Sequence, residues 1–66
     1  MKKYYRTDLI KQFMKENNWG VLKFCVECGI STQAYYKIMH QQLKCRISTI
    51  FKIANVMSVA MNELHY

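Results

Sequence analysis

The chain has 66 residues, so it forms one domain at most, and at this size only about 60% of the unfolded surface can be buried. With 52% hydrophobic residues, no Pro and two Gly, it is neither disordered nor loop-rich, and an all-α globule is expected. Ten Lys and Arg against four Asp and Glu give a net charge of +6, which points to a polyanionic partner.

Hydrophobic periodicity divides the chain into five expected helices. The first covers residues 7–17, with Leu9, Ile10, Phe13 and Met14 on one face and Lys11, Lys15 and Glu16 on the other. Asn17 and Asn18 end it, because Asn tolerates the left-handed conformation of a helix C-terminus, and Trp19 follows as a core anchor. A second helix over 21–28 places Leu22, Phe24, Cys25 and Cys28 at helical spacing. Gly29 then allows a sharp turn. Ser31 is the expected N-cap of a third helix over 32–40, its hydroxyl accepting a backbone N–H near Ala34. A loop over 41–46 leads to a fourth helix over 47–57, with Ile47, Ile50, Phe51, Ala54 and Met57 as its inward stripe. A last short helix closes the chain over 60–64.

Two helices joined by three or four residues cross steeply and leave one face of the second exposed, the arrangement of a DNA-binding helix-turn-helix. If Tyr35, Ile38 and Met39 face the core, helical phase puts Thr32, Gln33, Tyr36, Lys37 and His40 outside. Gln33 is the best base reader, since its amide matches adenine N6 and N7. Thr32 suits a thymine methyl, Lys37 a guanine or a phosphate, and Tyr36 a phosphate, sugar or methyl group. His40, Gln41, Gln42, Lys44 and Arg46 would flank the groove and hold phosphates. The plainer alternative is an ordinary solvated polar face, against which stand the spacing and the surplus of positive charge.

In these features the chain resembles the lambda-repressor-like, XRE-type helix-turn-helix family of phage and bacterial regulators, over about residues 6–64. Cys25, Gly29, Ile30, Tyr35 and Ile38 match the small, turn and apolar positions of the motif. In register downstream, Ile47, Ile50, Phe51, Ile53, Ala54, Val59, Met61 and Leu64 match the segment of helices 4 and 5. The resemblance implies a five-helix DNA-binding domain and supports Thr32, Gln33, Tyr36 and Lys37 as groove residues.

Departures from the family pattern are specific. Gly20 and Val21 stand where a capping residue and a phosphate-gripping Gln are frequent, so at Val21 only the backbone N–H, at the positive end of helix 2, can hold a phosphate. Gln41 and Cys45 replace a common Gly and Pro. Ala60 replaces a frequent capping Ser, which should fray the last helix. Met14 and Met39 occupy the places of an Arg and a Glu that many members pair, implying an apolar contact in place of a buried ion pair.

Cys25, Cys28, His40 and Cys45 have a spacing that resembles a zinc-binding set. Cys25 and Cys28 fall inside a packed helix, where free Cys acts as a small hydrophobe, so no metal site is expected, and a redox role lacks the usual strand and helix context. Cys45, in the loop, is the thiol expected to be most open to oxidation. The acids Asp8, Glu16, Glu27 and Glu63 are scattered and neither His40 nor His65 has an evident partner, so no enzyme and no cofactor are expected.

The expected function is that of a sequence-specific regulator, a repressor of phage or bacterial type, with double-stranded DNA as partner and no small-molecule ligand. The alternative is a protein-interaction module on the same fold: an adaptor, antitoxin or phage accessory protein. A third reading is nonspecific nucleic-acid or RNA binding. For a homodimer, the apolar residues Met57, Met61, Leu64 and Tyr66 are the candidate interface. The start, MKKYYRTDLIKQ, lacks a secretory apolar stretch, no run approaches membrane-spanning length, and an odd number of Cys suits reduced thiols, so a cytoplasmic protein is expected.

Overall fold

Helix propensity with little Gly and no Pro inside the periodic segments produces four α-helices: α1 (Thr7–Glu16), α2 (Val21–Cys28), α3 (Thr32–Met39) and α4 (Ile47–Met57). A single 3-10 turn, Met61–Leu64, follows them. The computed structural model describes residues 4–41 and 46–65, and within these the fold is all-α. Among the described residues no helix is long and apolar enough to cross a membrane.

The helix ends follow from local chemistry. Arg6 stands before α1 and forms an ion pair with Asp8 in the first turn at 3.1 Å, which holds the Asp8 carboxyl below its ordinary range. At the other end Asn17 donates its side-chain amide to the Phe13 carbonyl at 2.8 Å, and Asn18 takes the left-handed conformation, φ 56°. The chain then reverses and Trp19 donates its N–H to Met14 at 2.8 Å. The helix expected to include Asn17 therefore stops one residue earlier.

The core contains Phe24, Cys25 and Cys28 from α2, Tyr35 and Ile38 from α3, and Ile50, Ile53 and Ala54 from α4, together with Tyr5, Ile10 and Leu64. The middle helix α2 packs on both α3 and α4. Phe24 is fully buried, and a series of edge-on rings runs through it from α1 to α3: Trp19 on Phe13 at 5.4 Å, Phe13 on Phe24 at 6.3 Å, and Phe24 on Tyr35 at 5.8 Å. Edge-to-face pairs of this kind add to the apolar burial and fix the relative rotation of the helices. The link from α1 to α3 at Met14 is made to Tyr35, whose hydroxyl donates to the Met14 sulfur at 3.6 Å. Met14 and Met39 both pack, partly buried, against the core.

Three apolar residues expected inside lie outside. Ile47 is 77% and Phe51 57% exposed, because Ile50, Ile53, Ala54 and Met57 repeat at i, i+3, i+4 and i+7 and take the inward face, turning Ile47 and Phe51 to its flank. Leu22 is 73% exposed for the same reason, the core side of α2 being filled by Phe24, Cys25 and Cys28. The reverse holds at the C-terminal segment. Leu64 is fully buried and Met57 and Met61 pack partly buried against the core, so this segment closes the domain; Tyr66 lies outside the described residues.

The helix expected over 60–64 is the 3-10 turn. Ala60 has no capping oxygen, and the Glu63 carboxylate accepts the Ala60 N–H at 2.7 Å instead, which closes one turn and no more. Beyond it the two ends of the chain meet. Arg6 donates its N–H to the Leu64 carbonyl at 2.7 Å, and Tyr5 and His65 form an antiparallel bridge with their rings 5.3 Å apart.

Candidate nucleic-acid interface

The candidate interface starts at the turn between α2 and α3. Gly29 caps α2 in the left-handed conformation, φ 71° and ψ 36°, and the following N–H of Ile30 returns to the Cys25 carbonyl at 3.0 Å. A Cβ built on Gly29 would meet nothing within 4 Å, so glycine is required there by backbone conformation and not by space. Ser31, extended, accepts the Ala34 N–H at 3.1 Å and starts α3 at the residue expected.

On α3 the core takes Tyr35 and Ile38, leaving Gln33, Tyr36 and Lys37 exposed on the other side; Thr32 is half-buried at the margin. Tyr36 is 49% exposed, and its ring is steadied by Tyr35 on one side, 5.2 Å away and edge-on, and by His40 on the other at 6.3 Å. Its orientation is therefore fixed by contacts along the helix. His40 itself is exposed and caps α3, donating its N–H to the Tyr36 carbonyl at 2.9 Å.

Gln41, expected at a phosphate, is bound to the N-terminal segment. Its side-chain oxygen accepts the N–H groups of Tyr4 at 2.9 Å and Tyr5 at 2.8 Å, and its amide nitrogen donates to the Tyr5 carbonyl at 3.0 Å. With the amide engaged at both its oxygen and one N–H, Gln41 holds the N-terminal segment against the end of α3. The expected phosphate contacts Gln42 and Lys44 lie outside the described residues, as does Cys45. At Val21, the first residue of α2, the side chain packs partly buried on the core; Gly20 provides no side-chain cap, so the first-turn amides are left to solvent or an anion.

Between the start of α3 and the outer side of α4 lies an open cleft of about 330 Å³. Gln33 and Lys37 form one wall; Arg46, Ser48, Thr49 and Lys52 form the other, and none of the described lining residues is acidic. Ser48, Thr49 and Lys52 were not among the residues expected at the interface. Their signal was available, because Ser48 and Lys52 stand one turn apart on the polar side of α4.

The two described cysteines are free and buried. Burial pushes the Cys25 thiol up, and burial, with the neighbouring Cys25 and Glu27, pushes Cys28 up to about 11. Both thiols are therefore protonated near pH 7, the form that is not nucleophilic. Among the described residues no group of three or more His, Cys, Asp or Glu side chains is placed to hold a metal ion.

No protein-family model matches the sequence, and neither the curated proteins nor the solved structures include a significant match to it.

Proposed function

We propose that the chain is a sequence-specific DNA-binding regulator, a repressor of the lambda-repressor-like type, in which α2, the Gly29 turn and α3 form a helix-turn-helix. The observation that carries this is the outer face of α3. Gln33, Tyr36 and Lys37 are exposed together on a capped helix, beside a cleft whose described lining is basic and free of acids. A face with an amide, a phenol and an ammonium can donate and accept at base edges, and the adjoining cations can neutralise phosphates. Gln33 is assigned to an adenine, Lys37 to a guanine or a phosphate, Thr32 to a thymine methyl at the margin, and Tyr36 to the sugar-phosphate edge. His40 and the Val21 N–H are assigned to phosphates at the two ends of the motif.

A protein-interaction module is the second reading, favoured by one observation. Leu22 and Val26, one turn apart on α2, are 73% and 74% exposed, and Ile47 and Phe51 repeat the pattern on α4. Selection of bound duplexes from a random pool separates the two. A regulator enriches one short motif, whereas a pool that stays unenriched while a protein partner binds through α2 supports the module.

A further inference from the structure

We propose that the cleft between α3 and α4 is a phosphate seat in its own right, with Lys52 as a principal ligand. Cationic residues line it from three places in the chain: Lys37 from α3, Arg46 from the N-cap of α4, and Lys52 from the second turn of α4. Ser48 and Thr49 add hydroxyl donors between them, and no carboxylate in the described lining offsets the positive charge. Lys52 is drawn toward the cleft by the Gly29 carbonyl, which its ammonium approaches at 3.4 Å, a long contact that leaves its other protons available. Arg46 caps α4 through backbone geometry alone, with no side-chain hydrogen bond to the first-turn amides.

Three like charges around one recess repel one another, and an anion placed among them removes that repulsion while accepting from each. A phosphate fits this chemistry better than a carboxylate, because its several oxygens can accept from ammonium, guanidinium and hydroxyl groups at once. At about 330 Å³ and open to solvent, the cleft also has room for the substituents of a phosphate ester. The phosphate could be a diester in a nucleic-acid backbone or a free anion, and the seat does not depend on base reading by α3.

The test is a titration of the intact chain with inorganic phosphate at constant ionic strength, followed by amide NMR. Saturable shifts are expected at Gly29, Ser48, Thr49 and Lys52. Lys52→Gln should weaken phosphate binding about fivefold, the order expected for one exposed charge, while Lys15→Gln on α1 should leave it unchanged. Adding a duplex of arbitrary sequence then identifies the source: displacement of phosphate assigns the seat to a backbone diester, and retention assigns it to a free anion, the seat standing in both cases. Shifts that spread over all basic residues without saturating, or equal affinity in Lys52→Gln and Lys15→Gln, would overturn the proposal. A motif selected by the chain but no phosphate response would leave base reading in place and remove only the seat.

Discussion

Gln41 and Tyr5 exchange hydrogen bonds in both directions: the Gln41 side-chain oxygen accepts the Tyr5 N–H at 2.8 Å, and its amide nitrogen donates to the Tyr5 carbonyl at 3.0 Å. Gln41 does this from the left-handed region, φ 62°, which costs a non-glycine residue about 1–2 kcal/mol. Three bonds to the N-terminal segment, each contributing about 0.5–1.5 kcal/mol, offset that strain. Gln41→Ala keeps the strain and loses the bonds, so it should lower the free energy of unfolding by about 1–3 kcal/mol in denaturant titration. Gln41→Gly should lose less, by roughly 0.5–1 kcal/mol, because it relieves φ. Equal stability of all three proteins would show that the clamp contributes nothing.

Left-handed backbone has opposite consequences for substitution at two other positions. Ser58 ends α4 at φ 58° and ψ 41°, so Ser58→Gly should raise stability by roughly 0.5–1 kcal/mol. Gly29 sits at φ 71°, so Gly29→Ala should lower it by about 1 kcal/mol even though a Cβ has space there. Thermal melts of the two variants should move in opposite directions, and a stabilising Gly29→Ala would contradict the left-handed turn.

Much of this fold was legible in the residues because the determinants are local. The Ser31 cap bonds a backbone N–H three residues on, and the Gly29 turn that ends α2 is set by the glycine itself. What was not legible depends on distant partners. Gln41 read only as a loop residue flanking the groove and holding phosphate, because its partners Tyr4 and Tyr5 lie 37 and 36 positions away. The phase of α4 was misjudged because Ile47 and Phe51 are as apolar as Ile50 and Ile53, and only the packing against α2 decides which pair is inside. Ser48 and Lys52 share the polar side of α4 in the sequence pattern, but that α3 and the Gly29 turn close a cleft over them depends on packing.

That phase makes a direct prediction. Phe51→Lys and Leu22→Lys, at exposed positions, should change stability by no more than about 0.5 kcal/mol, whereas Ile53→Ala, in the core, should cost about 2–5 kcal/mol. Chemical denaturation of the three variants checks it. A large loss for Phe51→Lys together with a small one for Ile53→Ala would reverse the assigned faces.

The buried thiols should behave as protected acids. In a Cys45→Ser background, Cys25 and Cys28 should resist alkylation at pH 8 until the protein is unfolded, since both are buried and burial raises both thiols. Cys28, raised to about 11, stays protonated in the folded state at a pH where the unfolded thiol has begun to ionise. Its contribution to stability is thus complete below the unfolded thiol's range and is lost as pH rises toward 11. Stability measured from pH 8 to 11 should therefore decline, and Cys28→Ala should flatten part of that decline. Rapid alkylation of the native protein would contradict the burial.

The central claim is that the exposed face of α3 reads DNA sequence, and the most direct measurement is the affinity of Gln33→Ala for a selected duplex and for its single-base variants. Gln33 is exposed and makes no contact that the core requires, so the variant should fold normally. The expected result is a loss of about 1–3 kcal/mol on the selected duplex, with preference relaxed at one base position. Arg46→Ala should instead weaken all sequences alike and reduce the salt dependence by about one unit. Binding that is unchanged by Gln33→Ala at every base position would contradict the claim.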